Sequence, residues 1–409
     1  MSKLLHGCLR LMVVALLVTL ITSVAFLAGF AARASLVEPE PISVAVEPAA
    51  SSEQEAFRIF WEVWHTLERD FYGDLPDDQE MTYGAIQGVI DDLDDNYTAF
   101  LEPELAAVIR EDMSGSFEGI GAVVNMNDDG QLEIVRTLEG KPAAQAGLRS
   151  GDIVLAVGDT AIEEMSVFEA VALIRGPAGS VARLTIRRQD IEEPFVVEVV
   201  RQRIEMPTVE SKMLDDDIAY LKLTEFNAQA ASKLKAGLRS LLAEEPRGLI
   251  FDLRDNPGGF LNVSVEIGSQ FVGEGSILLE KLKDDQNRDY PAQSGGLATI
   301  DPPLVVLVNG GTASASEIVA GAIQDTGRGT LIGEQTLGKG SVQLSHHLSD
   351  GSELRVTIAR WFTPNGRAIH EEGLAPDIQV DMTEEDIEAG RDPQLQRAIE
   401  YLQGLTDED

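Results

Sequence analysis

Leu304–Val308 is a run of five apolar residues, and Asn309, Gly310 and Gly311 follow it directly. Such a run, closed by a glycine turn, reads as a strand buried on both faces. Beyond the turn, Thr312 to Val319 combines small residues with Glu317 in what reads as the start of a helix. A strand that stops at glycines before a helix N-terminus lifts a side chain out of the fold and aims free N–H groups at it. A serine nucleophile and half of an oxyanion hole can be built this way. The same residues would also serve a plain strand-turn-helix in which Ser or Thr is only the N-cap.

The second half of the chain repeats the pattern. Ile218–Leu223 reads as a strand, residues 228–242 as a helix, and Gly248–Leu253 as a buried strand. The turn Arg254-Asp-Asn-Pro-Gly-Gly259 follows, then a helix over 261–271, and Gly329–Gly333 is a further strand. Two strands therefore end in glycine turns, at Gly258-Gly259 and Gly310-Gly311, where sites form in α/β sheets. Gly333 to Gly340 nearly matches a phosphate-binding loop. However, Gly340 stands where Ser or Thr must follow the lysine, and residues 341–348 alternate like a strand. The glycines around Lys339 suit another role, because they let the backbone approach closely. A buried lysine loses its charge more readily and can act as a general base, and a serine-lysine pair is a known variant of serine-base catalysis. A solvated loop lysine is the plainer alternative. Histidine offers less: His346 and His347 are neighbours on a strand and point to opposite faces. His65 and His370 lie in segments without a nucleophile-like context, and no histidine spacing suits a metal.

Residues 113–200 differ in character, with short strands, glycine turns and one short helix. Ser166 and Glu169 form a capping box opening that helix. Gly119-Ile-Gly-Ala122, Pro142-Ala-Ala-Gln-Ala-Gly-Leu148 and Ser150-Gly-Asp-Ile-Val154 resemble a PDZ domain of the bacterial type. PDZ domains bind a peptide C-terminus by strand addition, with N–H groups of a glycine loop on the carboxylate. The resemblance assigns that loop to Gly119, Ile120 and Gly121, and the opposite wall to the helix after Ser166. A β-rich spacer whose glycines only make turns is the alternative.

At 409 residues the chain has room for two or three domains. Its net charge of −37 argues against nucleic acid and against anionic membrane surfaces. Cys8 is the only cysteine, so an intrachain disulfide and a cysteine-ligated zinc site are both excluded. Residues 11–32 are almost wholly apolar behind Lys3 and Arg10. They read either as a membrane anchor with its N-terminus in the cytoplasm or as a cleaved signal peptide. Either reading exports the rest to the cell envelope. Residues 35–52 read as a linker. Phe57, Phe60, Trp61, Trp64, Leu67 and Phe71 share a helical face, and a second helix is expected over 83–93. The aromatic face is either core or a contact with a second subunit.

Thr312-Ala-Ser-Ala-Ser-Glu-Ile318, Gly338-Lys-Gly-Ser-Val-Gln343, Asp252-Leu-Arg-Asp-Asn-Pro-Gly-Gly259 and Thr363-Pro-Asn-Gly-Arg367 together resemble the C-terminal processing peptidases, or tail-specific proteases. The resemblance runs from about residue 55 to about 402. It implies an α+β multidomain chain: N-terminal helices, a β-rich PDZ domain and an α/β protease core related to crotonase and Clp protease. The implied domains are an anchor or signal peptide (1–34), linker (35–52), N-terminal helical domain (53–112), PDZ domain (113–200), protease core (201–385), and C-terminal helix with acidic tail (386–409). By the same resemblance Ser314 is the nucleophile, with Ser316 its competitor, Lys339 the base and Gln343 the residue that orients it. Ala315 and the Gly258-Gly259 turn would form the oxyanion hole, and Glu317 would support the site. Asn96 replaces the family's usual proline before Tyr97-Thr98, with no expected consequence for catalysis. Arg175, at the end of the PDZ helix, either contacts the protease core and couples binding to turnover or is a surface arginine. The implied activity is a serine endopeptidase that needs no metal or other cofactor and acts on proteins with apolar C-termini. Two rivals are a membrane-anchored PDZ adaptor that binds without cleaving, and a crotonase-like enzyme acting on acyl thioesters.

Overall fold

A computed structural model describes residues 51–127, 129–163, 165–283 and 286–406. The expected anchor or signal segment and most of the linker lie outside the described residues. Among the described residues, no helix is long and apolar enough to cross a membrane. The chain divides into two compact units between Glu80 and Met81, inside the segment 53–112 that the sequence suggested as one domain.

The described part of the first unit is dominated by the helix Ser51–Asp70. The ring pairs Phe57–Phe60, Phe60–Trp64 and Trp61–Trp64, three or four residues apart, have centroids 5.6–6.1 Å apart. Phe57 and Trp61 nevertheless stay 60% and 50% exposed. The next helix is Asp78–Asp91, starting earlier than the expected 83–93. Its start follows from Asp77, whose carboxylate accepts from the Gln79 and Glu80 N–H groups at 2.8 Å.

In the second unit the middle module is an antiparallel sheet. Its strand order is Ala122–Met126, Leu132–Thr137, Ile153–Val157, Val181–Arg187 and Phe195–Val200. Alternate side chains, among them Leu132, Ile134, Leu184 and Ile186, pack into one buried cluster with Ala170 and Ile174 of the helix Val167–Ile174. Ser166 and Glu169 form the expected reciprocal cap on that helix. Ser116–Gly119 pairs with Gln202–Glu205, so the segments entering and leaving the module are tied together.

The second half of the chain is built on a sheet ordered Val209–Met213, Ile218–Leu223, Gly248–Asp252, Leu304–Val308, Gly329–Gly333 and Ile378–Gln379. The first pair is antiparallel and the rest are parallel. Every residue of Gly248–Asp252 and Leu304–Val308 is buried, as strands covered on both faces require. Leu249, Phe251, Leu304 and Val306 face the helices Ala230–Leu242, Leu261–Gly268 and Ala315–Asp325. Ile250, Val305 and Leu307 face Ala398 and Leu402 of the C-terminal helix Pro393–Thr406. In a second sheet Glu353–Phe362 pairs with Ser341–His347, Ser276–Leu282 and Ala99–Leu101. Because the parallel strands run together, the turns after Asp252, Val308 and Gly333 all emerge at one edge.

Candidate active site

Ser314 sits where the turn after Leu304–Val308 becomes the helix Ala315–Asp325. Its backbone has φ 57° and ψ −117°, an uncommon conformation for a residue with a side chain. It is held there by Glu317, whose Oε2 accepts the Ser314 N–H at 2.8 Å. The two serines of this turn are easily told apart. Ser316 is 0% exposed and its hydroxyl donates to the Asn256 carbonyl at 3.0 Å, whereas Ser314 is 7% exposed. Ser316 is thus committed to tying two turns together.

The glycine turn after Gly248–Asp252 lies directly against Ser314. A Cβ on Gly258 would come within 2.7 Å of the Ala313 carbonyl and 2.8 Å of the Ala315 nitrogen. One on Gly259 would meet the Phe226 carbonyl at 2.5 Å, so no larger residue fits at either position. Ala315, in the first turn of its helix, has an N–H with no intrahelical acceptor. The Gly258 N–H, expected to be an oxyanion donor, instead donates to Asn256 Oδ1 at 2.9 Å. Asn256 is fully buried. Its Nδ2 donates to the Leu223 carbonyl, and its own carbonyl accepts from the Ala313 N–H. The residue therefore joins both halves of the site, a role its sequence context did not reveal.

Glu317 reaches the lysine loop as well. Its Oε1 accepts from Thr336 Oγ1 at 2.6 Å and the Gly338 N–H at 2.7 Å, and its Oε2 from the Lys339 N–H at 2.9 Å. With the Ser314 bond, one buried carboxylate clamps the serine turn to the lysine loop. Burial raises its pKa, and the four hydrogen bonds oppose that rise. Lys339 is further fixed by Trp361, whose indole N–H donates to its carbonyl at 3.1 Å. Burial lowers the Lys339 pKa below the ordinary lysine value, and the charge of Arg355 adds to the effect. No hydrogen bond among the described residues joins Lys339 Nζ to Ser314.

Three further placements differ from the sequence reading. Gln343, expected to orient Lys339, donates instead to Ser341 Oγ at 2.8 Å and Thr357 Oγ1 at 3.3 Å. A register shift between Val342 and Gln343 turns the strand at this point. His370, read as lying in a segment without a nucleophile-like context, packs on the lysine loop: a Cβ on Gly340 would meet its backbone nitrogen at 2.3 Å. Arg360 donates to His370 Nδ1 at 3.0 Å, and burial together with that cation lowers the histidine pKa. Tyr97, from the segment where no catalytic consequence was expected, places its ring 5.4 Å from Lys339 Nζ and 5.7 Å from the His370 ring.

In the middle module, Ile120 and Gly121 are buried, and their N–H groups have no acceptor among the described residues. Gly121 has φ +74°, and a Cβ there would lie 2.6 Å from that of Lys141. Two adjacent donors in a glycine turn suit a carboxylate. Arg175 is anchored, but not to the protease core. It pairs with Glu111 at 2.9 Å and Asp112 at 2.7 Å, both on the helix Pro103–Met113, and its guanidinium lies 4.5 Å from the Phe117 ring centroid.

A parallel core with a serine at a strained helix entrance, and a half-buried lysine in the loop clamped to it, define a serine-type peptidase. The description Peptidase family S41 matches residues 217–380, and the description PDZ domain matches residues 133–188. The chain is 35% identical over 341 residues to the carboxy-terminal processing protease CtpA of Bacillus subtilis, covering 83% of this chain and 72% of that one. It is 36% identical over 349 residues to the carboxyl-terminal-processing protease of Synechocystis sp., covering 83% and 81%. Among solved structures, the photosystem II D1 C-terminal processing protease aligns at 30% identity over 79% of this chain and 86% of that chain, with a TM-score of 0.49. The chain belongs to the carboxy-terminal processing proteases of peptidase family S41.

Proposed function

We propose that this peptidase captures the C-terminal tail of a protein substrate in its PDZ module and cleaves the chain with Ser314 and Lys339. The observation that carries the reading is the Glu317 clamp, which brings the serine turn and the lysine loop together on one buried carboxylate. Neutral Lys339 accepts the Ser314 hydroxyl proton as Oγ attacks the peptide carbonyl. The Ala315 N–H would receive the oxyanion, joined from the glycine turn by the Gly259 N–H, since Asn256 holds that of Gly258; each such donor is worth roughly 3–4 kcal/mol in the transition state. Lys339 then protonates the departing amine, and water releases the acyl-enzyme. Hydrogen bonds between catalytic groups commonly close only around substrate, which accounts for the open Ser314–Lys339 pair. Gln343 would turn toward Lys339 in the same step. In the PDZ module the Ile120 and Gly121 N–H groups would hold the tail carboxylate, with apolar side chains preceding it.

The same reading places the enzyme in the cell envelope, exported and tethered by, or released from, the segment at residues 11–32. A second copy would cover the exposed aromatic face of Ser51–Asp70. The experiment is cleavage of an unfolded protein ending in apolar residues, compared with one ending in charged residues. The enzymes are wild type, Ser314→Ala, Ser316→Ala and Lys339→Ala. Wild type and Ser316→Ala should cleave, faster on the apolar tail, while the other two should not. Cleavage by Lys339→Ala would sink the dyad and point to His370. Tail binding without cleavage by wild type would favour the adaptor.

A further inference from the structure

Tyr97 belongs to a loop that is built rather than loose. Asp95 Oδ2 accepts from Thr98 Oγ1 at 2.6 Å and from the Thr98 N–H at 3.2 Å, and Oδ1 accepts from the Tyr97 N–H at 3.3 Å. Thr98 Oγ1 accepts from the Thr357 N–H at 3.1 Å, and Ala99–Leu101 pairs with Glu353–Arg355. The ring is therefore fixed relative to the strand that also carries Arg355, Arg360 and Trp361. Its face lies over Lys339 Nζ, while its phenol oxygen has no hydrogen-bond partner among the described residues.

Several charged or titratable groups surround Lys339. Glu317 lies beneath its backbone, and Arg355 and Arg360 are on the neighbouring strand. His370 and Glu371 are on the following turn, and Asp95 is on the loop of Tyr97 itself. Among the described residues none of the carboxylates forms an ion pair with Nζ. What governs the charge of this ammonium is therefore chiefly its access to water.

We propose that Tyr97 is a positioning residue that caps Lys339, its ring closing off the base from bulk water. The inference rests on the reading of Lys339 as the general base. Two effects of the ring have opposite signs. Excluding water favours the neutral amine, whereas the negative ring face favours the cation. Water exclusion is the larger of the two, so removing the ring lets the ammonium be solvated and keeps Lys339 protonated to higher pH.

The test is the pH dependence of kcat/KM for the full-length enzyme, its Tyr97→Phe and Tyr97→Ala variants, and Lys339→Ala. Binding of a tail peptide serves as the check on folding. Wild type should show an acid limb set by Lys339. Tyr97→Phe, which keeps the ring, should keep that limb. Tyr97→Ala should move it to higher pH by about one unit, a roughly tenfold loss on the acid side that recovers as pH rises. A limb that stays in place, or moves to lower pH, overturns the cap. Tyr97→Phe behaving like Tyr97→Ala overturns it too, because the hydroxyl would then be the active part. Should Tyr97→Ala fail to bind tail peptide, Tyr97→Leu, too short to cover Nζ, carries the same comparison. Activity in Lys339→Ala would instead remove the reading beneath the proposal, so the two failures are distinguishable.

Discussion

Replacing Glu317 by Gln would preserve the volume of the side chain but turn one acceptor oxygen into a donor. Both of its oxygens face two donors each: Thr336 and Gly338 on one, Ser314 and Lys339 on the other. With the amide nitrogen toward Ser314 and Lys339 two N–H groups oppose it; turned the other way it opposes the Gly338 N–H and forces the Thr336 hydroxyl to give up its role as donor. The expected cost is about 2–4 kcal/mol of stability, because buried donors left unpaired are expensive. A loss of about 10²-fold in kcat should accompany it, the effect of a shift near 1 Å between reacting groups. Denaturant unfolding and steady-state kinetics check both, and wild-type kcat in Glu317→Gln would remove the clamp from the mechanism. Ser314, Lys339 and Glu317 could be singled out in the sequence because their motifs are contiguous. Tyr97 and His370 could not, because they reach the site from segments that are distant in the chain.

Between elements, Arg254 ties the end of Gly248–Asp252 to the start of Pro393–Thr406. Arg254 meets Asp252 at 2.7 Å and Asp392 at 2.8 Å, and Tyr220 donates to Asp252 at 2.7 Å. Arg254→Met would leave the fully buried Asp252 without its cation, costing about 3–5 kcal/mol, as breaking one side of a buried pair does. Asp392 makes the tie pH-dependent. Burial raises its pKa, but the Arg254 and Leu395 N–H hydrogen bonds and the Arg254 charge outweigh it and set the value below the ordinary one. A lowered folded-state value means that the stability it confers is complete above the unfolded carboxylate pKa, roughly 4. That stability is lost as pH falls through the lowered folded value. Acid unfolding followed by circular dichroism should therefore be less steep below about pH 4 in Asp392→Asn than in wild type. An identical slope would show that the pair contributes nothing there. The strands and glycine turns around this tie were legible from apolar runs closed by turn residues. The extra strand Phe195–Val200 and the early start of Asp78–Asp91 were not, since the first depends on its pairing with Val181–Arg187 and the second on a single capping side chain.

For the whole molecule, a net charge of −37 makes self-repulsion a standing cost of the folded state. Screening shortens from roughly 10 Å at 0.1 M salt to about 3 Å at 1 M. The melting temperature should therefore rise across that range in sodium chloride, and a flat or falling trend would show that salt-sensitive attractions such as Arg175 with Glu111 and Asp112 dominate instead. By itself the sequence determined the buried strands, the glycine turns that end them and the helix that Ser314 opens. Each of these rests on interactions within a few residues, which composition and spacing record. Only the tertiary structure decided that Ser316 is tied down, that Asn256 takes the Gly258 N–H, that Gln343 donates to Ser341 and Thr357 and that the Tyr97 ring lies 5.4 Å from Lys339 Nζ. Those outcomes depend on strand register, such as Ala99 opposite Arg355, and on which residues a shared edge of the sheet brings together. Register is set by the packing of the entire sheet, so no local stretch of the chain encodes it alone.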